Sequence, residues 1–368
     1  MSASKHSLLA RLGAGLAAVM ACLALGSAPA QAAKAGKPIE VRVVIVTTWE
    51  AIPGGEDKYG ELHAWLTKWP LATAIPFPVG VHPLQYDPKT HVLAVLTGMA
   101  TARATASIMA LGLDPRFDLT HAYWIVAGTA GVDPKVASAG SAAWARWVID
   151  GDLKQELDPR DMPADWPIGI TPYDRVTPYE QPAPAGQNYS ANVAYALNPG
   201  LVHWAYAKTK DVKLTDDDLL AKLRAPYSGP GQRPPFVLEG EGLMSATTWY
   251  GDHLNDWAER WVDYWTGGKG VFVMSAEEDT GIMQALTYLD HGGRVKLDRV
   301  LILRAGSDYS IQPPGMTGAA FLAKETHEGF PATPEALDSL YAVASPVARA
   351  LAADWAHTRD TVPSAPGD

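Results

Sequence analysis

Short apolar segments rich in β-branched residues recur along this chain, and stretches with helical periodicity separate them. Each apolar segment is five or six residues long and is bounded by turn residues, which is typical of a strand buried on both faces. The predicted strands are 41–46, 91–96, 121–126, 270–274 and 299–303, and the predicted helices are 59–69, 101–111, 247–265, 280–291 and 334–357. This alternation predicts an α/β fold, with a mixed, mostly parallel twisted sheet flanked by helices.

One region of the chain departs from this alternation. Residues 160–235 are rich in proline and glycine and contain only a short helical pattern, at 216–224. The chain has 368 residues, of which 47% are apolar, and this is enough for one large core. We therefore predict a single domain over residues 33–368, with an insertion at about 160–235 that packs over it.

The first 32 residues have the pattern of a secretory signal peptide. Lys5 and Arg11 are basic, residues 12–25 are apolar, and Ala30-Gln31-Ala32 is a small-residue cleavage site. The pattern predicts export with cleavage after Ala32, so that the mature protein is periplasmic or secreted. Cys22 follows residues that faintly resemble a lipoprotein box, but the apolar run continues past it, which favours an ordinary signal peptide.

Charge and cysteine content exclude several classes of function. A formal net charge of −10 disfavours binding to nucleic acid or to anionic membrane surfaces. Cys22 is the only cysteine, so the mature protein has no cysteine nucleophile and no thiolate metal site. The ten histidines show no metal-ligand spacing, and we expect no metal or other cofactor. After the signal peptide no apolar stretch approaches the ~18 residues of a membrane helix, so we expect no membrane span.

Two acidic segments in the C-terminal third point to a ligand site. Glu278 lies where the fourth predicted strand leads into a helix, and Asp308 follows Ser307 at the end of the fifth. In open α/β sheets, ligands bind where strands end and helices begin. We therefore expect Glu278 and Asp308 at the same rim of the sheet. Two carboxylates facing one pocket suit the binding of sugar hydroxyls and the donation of a proton.

Three other segments are candidates for contact with a ligand. Thr97-Gly98 opens a helix after a strand, and Thr129 lies between two glycines in the segment 127–131, read as a turn after the third strand. Trp249 precedes a tryptophan-rich helix and can offer its ring to a planar base. Each feature also has a purely structural explanation, since turns use glycine without any ligand and buried tryptophans pack in cores.

The segments above resemble, in their order, those of the nucleoside phosphorylase and nucleosidase superfamily. The shared order is a Thr-Gly helix start, an Ala-Gly-Thr-Ala-Gly turn, a Ser-Ala-x-x-aromatic segment, an acidic helix start and an Arg-x-x-Ser-Asp strand end. The chain is most similar to one branch, the purine nucleoside permease family. The segments similar to that branch are 107–113, 150–153, 156–163 and Glu278-Asp279-Thr280-Gly281.

The resemblance implies specific roles for these residues. In the superfamily the matching glutamate binds the ribose 2′- and 3′-hydroxyls, which implies this role for Glu278. The Ser-Asp pair implies that Asp308, beside Ser307, donates a proton toward purine N7, and the aromatic position implies that Trp249 stacks on the base. Helix capping by Glu278 and turn capping by Asp308 are the structural alternatives.

The identity of the reaction is left open by the sequence. Superfamily phosphorylases carry a phosphate-binding arginine in the strand before the glycine-rich turn, whereas this chain has Ile125-Val126 there and only Arg103 as a nearby cation. This difference weakens phosphorolysis and favours hydrolysis or simple binding. Superfamily hydrolases use a glutamate after the first strand to activate water, and the candidates are Glu50 and Glu56.

Two functions are consistent with this resemblance. The first is an exported purine-nucleoside-binding protein that assists uptake and works with a separate membrane transporter. The alternative is a purine nucleosidase that hydrolyses the N-glycosidic bond with the same pocket. Oligomerisation is possible, since superfamily members commonly associate, but the sequence identifies no interface.

Overall fold

The centre of the molecule is a sheet of fully buried strands. The structure, a computed structural model, describes residues 36–50, 60–183 and 193–365, so the predicted signal peptide lies outside the described residues. Residues 39–368 form one compact unit, and the described residues 36–38, which precede it, form no regular element. Every predicted strand is present, because apolar β-branched runs bury both faces of a strand at once.

The secondary-structure elements are as follows in chain order. The strands are β1 Ile39–Glu40, β2 Val43–Thr47, β3 Thr73–Ile75, β4 Leu84–Asp87, β5 Val92–Leu96, β6 Phe117–Asp118, β7 Tyr123–Val132, β8 Ala142–Trp144, β9 Trp147–Asp150, β10 Lys154–Glu156, β11 Ile170–Pro172, β12 Ala194–Ala196, β13 Val237–Glu239, β14 Glu241–Met244, β15 Phe272–Ala276 and β16 Val300–Tyr309. The α-helices are α1 Glu61–Lys68, α2 Thr101–Gly112, α3 Pro199–Thr209, α4 Asp218–Arg224, α5 Asp252–Thr266, α6 Asp279–His291, α7 Gly318–Glu328, α8 Thr333–Ala353 and α9 Trp355–Thr358.

The sheet is mixed, with a parallel centre. The strands β5, β2, β7 and β16 lie side by side and are parallel to one another. Beyond the end of β2, on the side of β7 opposite β16, β15 pairs antiparallel to the last residues of β7 and parallel to β14. Antiparallel strands complete the edges, with β4 and β3 beyond β5 and β12 beyond β9. The predicted mixed α/β architecture is confirmed.

Two central strands are longer than predicted. Residues 127–131 were expected to form a turn, but they continue β7, and Ser307 and Asp308 lie within β16 rather than after it. These two expectations were wrong because β7 and β16 pair with each other almost to their ends, so that the backbone groups of the small residues are satisfied by the neighbouring strand. The register of these two strands therefore determines where Asp308 lies.

Helices flank the sheet near the predicted positions. The helix expected at 247–265 begins only at Asp252, and the one expected at 334–357 is divided into α8 and the short α9. In the tryptophan-rich helix α5, Trp257 and Trp261 are buried and Trp265 is half-buried. Among the described residues, no helix is both long and apolar enough to cross a membrane.

The proline- and glycine-rich region contributes regular structure of its own. Strand β11 pairs with β10, and β12 extends the central sheet by pairing with β9. The expected helical stretch is present as α4, where the side chain of Asp217 accepts a hydrogen bond from Leu220 N–H. Helix α3 was not predicted, although Asn198 at its N-cap, followed by Pro199, is a common helix start.

Helices α2 and α6 approach each other closely at Gly281. A Cβ atom added there would overlap the carbonyl oxygen of Thr101 and lie 2.6 Å from Thr105 Oγ1. The first turn of α6 follows Glu278, and the first turn of α2 follows Ala100, so this contact sets the spacing of two segments that meet at the candidate site.

We expect Gly281→Ala to destabilise the protein by about 1–3 kcal/mol, because the added methyl group forces the two helices apart. The matched control is Gly318→Ala in α7, where a Cβ has open space and φ is not positive, and where alanine is expected to be neutral or slightly stabilising. Urea unfolding of both variants measures the difference. Equal stability of the two variants would contradict the close-packing argument.

Candidate functional site

A cavity of roughly 780 Å³, counting its open mouth, lies at the ends of the central strands. Strand β7 contributes Thr129, Ala130 and Gly131 to its lining, and β16 contributes Arg304, Ser307 and Asp308. The acidic residues that line it are Glu61, Glu277, Glu278 and Asp308, and the large apolar and aromatic ones are Trp49, Met99, Trp249, Tyr250 and Phe330. The cavity therefore combines a carboxylate-rich part with an aromatic part.

Gly131 brings the two predicted acidic segments together. It pairs with Ser275 of β15 on one side and with Asp308 of β16 on the other. Glu278 follows β15 by two residues, so the sheet delivers it and Asp308 to the same cavity, as the sequence predicts. A Cβ at Gly131 would lie 3.5 Å from Asp308 Oδ2, an ordinary contact distance, so this strand position lies directly beside the carboxyl group.

Glu278 is held by two donors that leave part of its carboxylate unused. Its Oε1 accepts from Ala100 N–H at 3.1 Å and its Oε2 accepts from Arg304 Nη2 at 2.9 Å. Its side chain makes no capping hydrogen bond to the helix that follows it. The structural alternative of a helix cap therefore does not describe its contacts. A carboxylate has about four acceptor positions, so about two remain.

Arg304 is a buried cation at the back of the cavity. Its guanidinium pairs with both oxygens of Asp279 and with Glu278, and its Nη1 donates to the Thr129 carbonyl at 3.0 Å. Burial on its own would lower the pKa of this guanidinium. The surrounding carboxylates, Asp279 foremost, outweigh that effect and raise the pKa. Gly128 is required beside it, because a Cβ there would overlap the guanidinium.

Arg304 corrects the expectation that Arg103 is the only cation near the site. Arg103 is exposed on α2, does not line the cavity, and donates to the Met99 carbonyl at 3.3 Å. A charged residue inside an otherwise apolar strand is rarely buried without a partner. The position of Arg304 in such a strand was therefore a sequence signal for a buried ion pair. Position 126 is an apolar residue buried in β7, so no cation occupies the place where the superfamily phosphorylases carry their phosphate-binding arginine.

Glu61 is an acidic residue of the cavity that the sequence analysis missed. Its Oε2 accepts from the N–H and hydroxyl of Thr48 and from Trp49 N–H, and its Oε1 accepts from the N–H and hydroxyl of Thr129. Burial, partly opposed by the charge of Arg304, raises its pKa. The five donors occupy its acceptor positions and tie the ends of β2 and β7 to the first turn of α1.

The two glutamates predicted near the first strand do not occupy this position. Glu50 accepts from His63 N–H at 3.1 Å, at the start of α1, and does not line the cavity. Glu56 lies outside the described residues. Glu61 lies inside the predicted helix 59–69, whereas the resemblance pointed to the loop between the first strand and that helix.

Asp308 is buried beside Ser307, whose hydroxyl donates to Asp308 Oδ1 at 3.0 Å. Burial raises the pKa of Asp308 to about 7, and the Ser307 hydroxyl opposes this shift only in part. Glu325 of α7 is another buried acid. Burial is the main cause that raises the pKa of Glu325 to about 8, and the nearby charge of Asp308 adds to this shift. A carboxyl group with these properties is half protonated near neutral pH and can donate a proton.

Of the remaining predicted contact residues, some line the cavity and others do not. Thr129 and Ser307 line the cavity, although both donor groups of Thr129 are used by Glu61. Thr97 and Gly98 do not line it. Thr97 is buried with its hydroxyl bonded to the Gly98 carbonyl, and Gly98 adopts φ +83°, a conformation that favours glycine. The turn thus leads the chain to Ala100, whose N–H holds Glu278.

Trp249 lines the cavity from within an aromatic cluster. Its ring lies 6.1 Å from that of Trp257 and 6.1 Å from that of Phe272, and only 9% of the residue is exposed. Tyr250 also lines the cavity, and its ring meets Phe321 of α7 edge-on at 5.2 Å. The aromatic side of the cavity is thus built from residues that are supported from behind, which is the arrangement that a stacking surface needs.

Glu277 is a fourth acidic residue in the cavity, next to Glu278 and half-buried. Thr248 Oγ1 donates to its Oε1 at 2.6 Å. Burial raises its pKa, and the Thr248 hydroxyl opposes the shift. Among the described residues that line the cavity, Arg304 is the only basic one against four acidic ones, so this part of the lining has an excess of carboxyl groups. Within the described parts of the chain, no group of His, Cys, Asp or Glu is placed to hold a metal ion.

Comparison with known proteins gives a family match over most of the chain. The sequence model described as purine nucleoside permease (NUP) matches residues 40–363. A probable purine nucleoside permease of Schizosaccharomyces pombe is 29% identical over 357 residues, covering 93% of this chain and 98% of the yeast protein. A purine nucleoside permease of Candida albicans is 28% identical over 304 residues, covering 80% of this chain and 73% of the relative.

Solved structures with a related arrangement include two hydrolases. The 5′-methylthioadenosine/S-adenosylhomocysteine nucleosidase of Neisseria meningitidis gives a TM-score of 0.47 at 12% identity, covering 83% of this chain and 100% of that chain. The futalosine hydrolase of Helicobacter pylori strain 26695 gives a TM-score of 0.46 at 12% identity, covering 83% and 98%.

We expect Arg304→Met to destabilise the protein by about 3–5 kcal/mol, because the substitution leaves Glu278 and Asp279 buried without their cation. Arg304→Lys keeps the charge but not the forked geometry, and its free energy of unfolding should lie between those of Arg304→Met and the wild type. Urea unfolding provides the measurement. Arg103→Met, which removes an exposed arginine, is the matched control and should change stability by less than about 0.5 kcal/mol. A fully stable Arg304→Met protein would show that charge pairing does not hold this cluster together.

Proposed function

Because this chain belongs to the purine nucleoside permease family, we propose that its cavity binds a purine nucleoside and that the protein assists nucleoside uptake. The observation that carries the proposal is that Glu278, just after β15, and Asp308, within β16, line one cavity. The names of the yeast relatives support nucleosides as the ligand class and uptake as the process.

The unused acceptor positions of Glu278 support binding of the sugar. Ala100 N–H and Arg304 hold the carboxylate in place, and about two acceptor positions remain for the vicinal hydroxyls of ribose. Hydrogen bonds to a charged acceptor contribute about 1.5–3 kcal/mol each, so two of them account for substantial affinity and for selection of a ribonucleoside.

Asp308 and the aromatic residues support binding of the base. In its protonated form Asp308 is a donor that suits N7 of a purine, an acceptor that pyrimidines lack. Trp249 and Tyr250 line the same cavity and offer aromatic surface to a planar ring. Sugar and base thus have separate partners within one site.

Export and transport remain part of the proposal. The basic and apolar N-terminal pattern of residues 1–32 supports secretion, and in a periplasmic or external location the protein would deliver nucleoside to a separate membrane transporter. Comparing the location of the full-length protein with that of a variant lacking residues 2–32 tests this step. A variant that still leaves the cytoplasm would contradict it.

We expect the wild-type protein to bind inosine more tightly than 2′-deoxyinosine, because the deoxy ligand lacks the 2′-hydroxyl and can donate only its 3′-hydroxyl to Glu278. In Glu278→Gln, which keeps the shape of the side chain but halves its acceptors, the two ligands should differ much less. Isothermal titration calorimetry gives the four affinities of this cycle, and we expect a loss of about tenfold or more for inosine. Glu156→Gln, at an exposed glutamate outside the cavity, is the control. Absence of inosine binding by the wild type would overturn the proposed function.

A second candidate is hydrolysis of the N-glycosidic bond, and the raised pKa of Asp308 favours it. Water would add to the anomeric carbon and lose a proton to the solvent, while the C–N bonding electrons pass to the purine, which takes a proton at N7 from Asp308; Asp308 then regains a proton from the solvent. Glu61 is poorly suited to activate the water because its five donors occupy it. Phosphorolysis is disfavoured, because the lone cation of the lining, Arg304, is already paired with carboxylates.

If the protein hydrolyses nucleosides, base release should not depend on phosphate and should fall as the pH rises above about 7, where Asp308 loses its proton. The sign follows from the raised pKa, since the protonated form that can donate persists up to that pH. Asp308→Asn should lower the rate by roughly 10²–10⁴-fold while binding survives, because the amide donates a hydrogen bond but transfers no proton. Purine release assayed from pH 5 to 9, with and without phosphate, measures both effects. Undiminished activity in Asp308→Asn would remove Asp308 from the mechanism.

A further inference from the structure

Glu277 presents a carboxylate to the cavity in a fixed position. Its backbone carbonyl accepts from Thr101 Oγ1 at 2.9 Å, which anchors the main chain between β15 and α6. Its Oε1 accepts from Thr248 Oγ1 at 2.6 Å, and Thr248 also lines the cavity. The main chain and one carboxylate oxygen are therefore held in place, and the other oxygen, Oε2, has no hydrogen bond to any residue that the structure describes.

The other acids of the cavity are compensated more fully than Glu277. Glu61 accepts five hydrogen bonds, and Glu278 is paired with Arg304. Asp308 is buried beside the Ser307 hydroxyl, and because its pKa is raised to about 7 it is half protonated near neutral pH. Within the described part of the chain, the carboxylate of Glu277 receives a single hydrogen bond, from a neutral hydroxyl, and forms no ion pair. Its negative charge is thus the one most directly felt by a ligand.

Among the described residues of the lining, Arg304 is the only cation, and it does not offset this charge for an incoming anion. Arg304 is buried behind Glu278 and Asp279, and its guanidinium has four of its five N–H donors engaged by them and by the Thr129 carbonyl. Charges a few ångströms apart interact strongly where water is partly excluded. A phosphate group entering this cavity would meet carboxylates before any positive charge.

From these contacts we infer that Glu277 is a specificity-determining residue, which favours neutral nucleosides over their phosphate esters. The inference rests on the proposed nucleoside-binding function and adds the ligand class that the site rejects. Oε2 accepts from a ligand hydroxyl, and the same carboxylate repels a phosphate group placed on the sugar.

The test compares inosine with inosine 5′-monophosphate by calorimetry at low ionic strength, where charge effects are least screened. The wild type should bind inosine at least tenfold more tightly than the monophosphate. Glu277→Gln keeps the size of the side chain and removes its charge, and should reduce this ratio by about fivefold or more, mainly by strengthening monophosphate binding. Glu277→Asp retains the charge and should retain most of the discrimination. Glu156→Gln controls for a general change in net charge.

The outcomes separate this inference from the function on which it rests. If the wild type binds inosine but Glu277→Gln leaves the ratio unchanged, or weakens both ligands equally, the inference is overturned and nucleoside binding stands. If monophosphate binding is undetectable in the wild type, its appearance in Glu277→Gln supports the inference and its continued absence overturns it. If the wild type does not bind inosine, the proposed function fails and the inference fails with it.

Discussion

The ion pairing of Arg304 is the interaction on which the site depends. A guanidinium in the middle of β16 is buried, and it is stable there only because Asp279, Glu278 and the Thr129 carbonyl surround it. The cluster joins three separate parts of the chain, namely β7, β16 and the start of α6. Any ligand contact by Glu278 therefore uses a carboxylate whose orientation the fold has already fixed, which lowers the entropic cost of binding.

Around this cluster the cavity is organised by differences between its acids. Glu61 is saturated with donors and joins strand ends, Glu278 keeps part of its acceptor capacity, and Asp308 is buried enough to hold a proton near neutral pH. Glu277 is left with one neutral partner. Four side chains of one chemical type thus have four different properties, because their burial and hydrogen-bond donors differ. This division is the physical basis of the proposed roles of the cavity in binding a sugar, protonating a base and excluding an anion.

Much of the fold and part of the site were predictable from local sequence. The buried strands are short apolar runs that have few alternatives, so β2, β5, β7, β15 and β16 were all found. Glu278 and Asp308 were found because each follows a short apolar run in the sequence. Glu61 and Arg304 were missed, since a glutamate in a helix and an arginine in a strand acquire their role only from partners that lie distant in sequence. The lengths of β7 and β16 were also missed, because small residues such as those at 127–131 continue a strand only when a neighbouring strand pairs with them.

By itself, the sequence determined the alternation of strands and helices, the family to which the chain belongs, and the positions of two acids at strand ends. Pattern and residue type are local properties, so no neighbour is needed to read them. The tertiary structure alone decided which acids meet, because Gly131 places Ser275 and Asp308 on its two sides and Gly128 leaves room for a guanidinium. It also decided their protonation and charge, since the pKa of a carboxyl group depends on the burial and partners that only the assembled sheet provides.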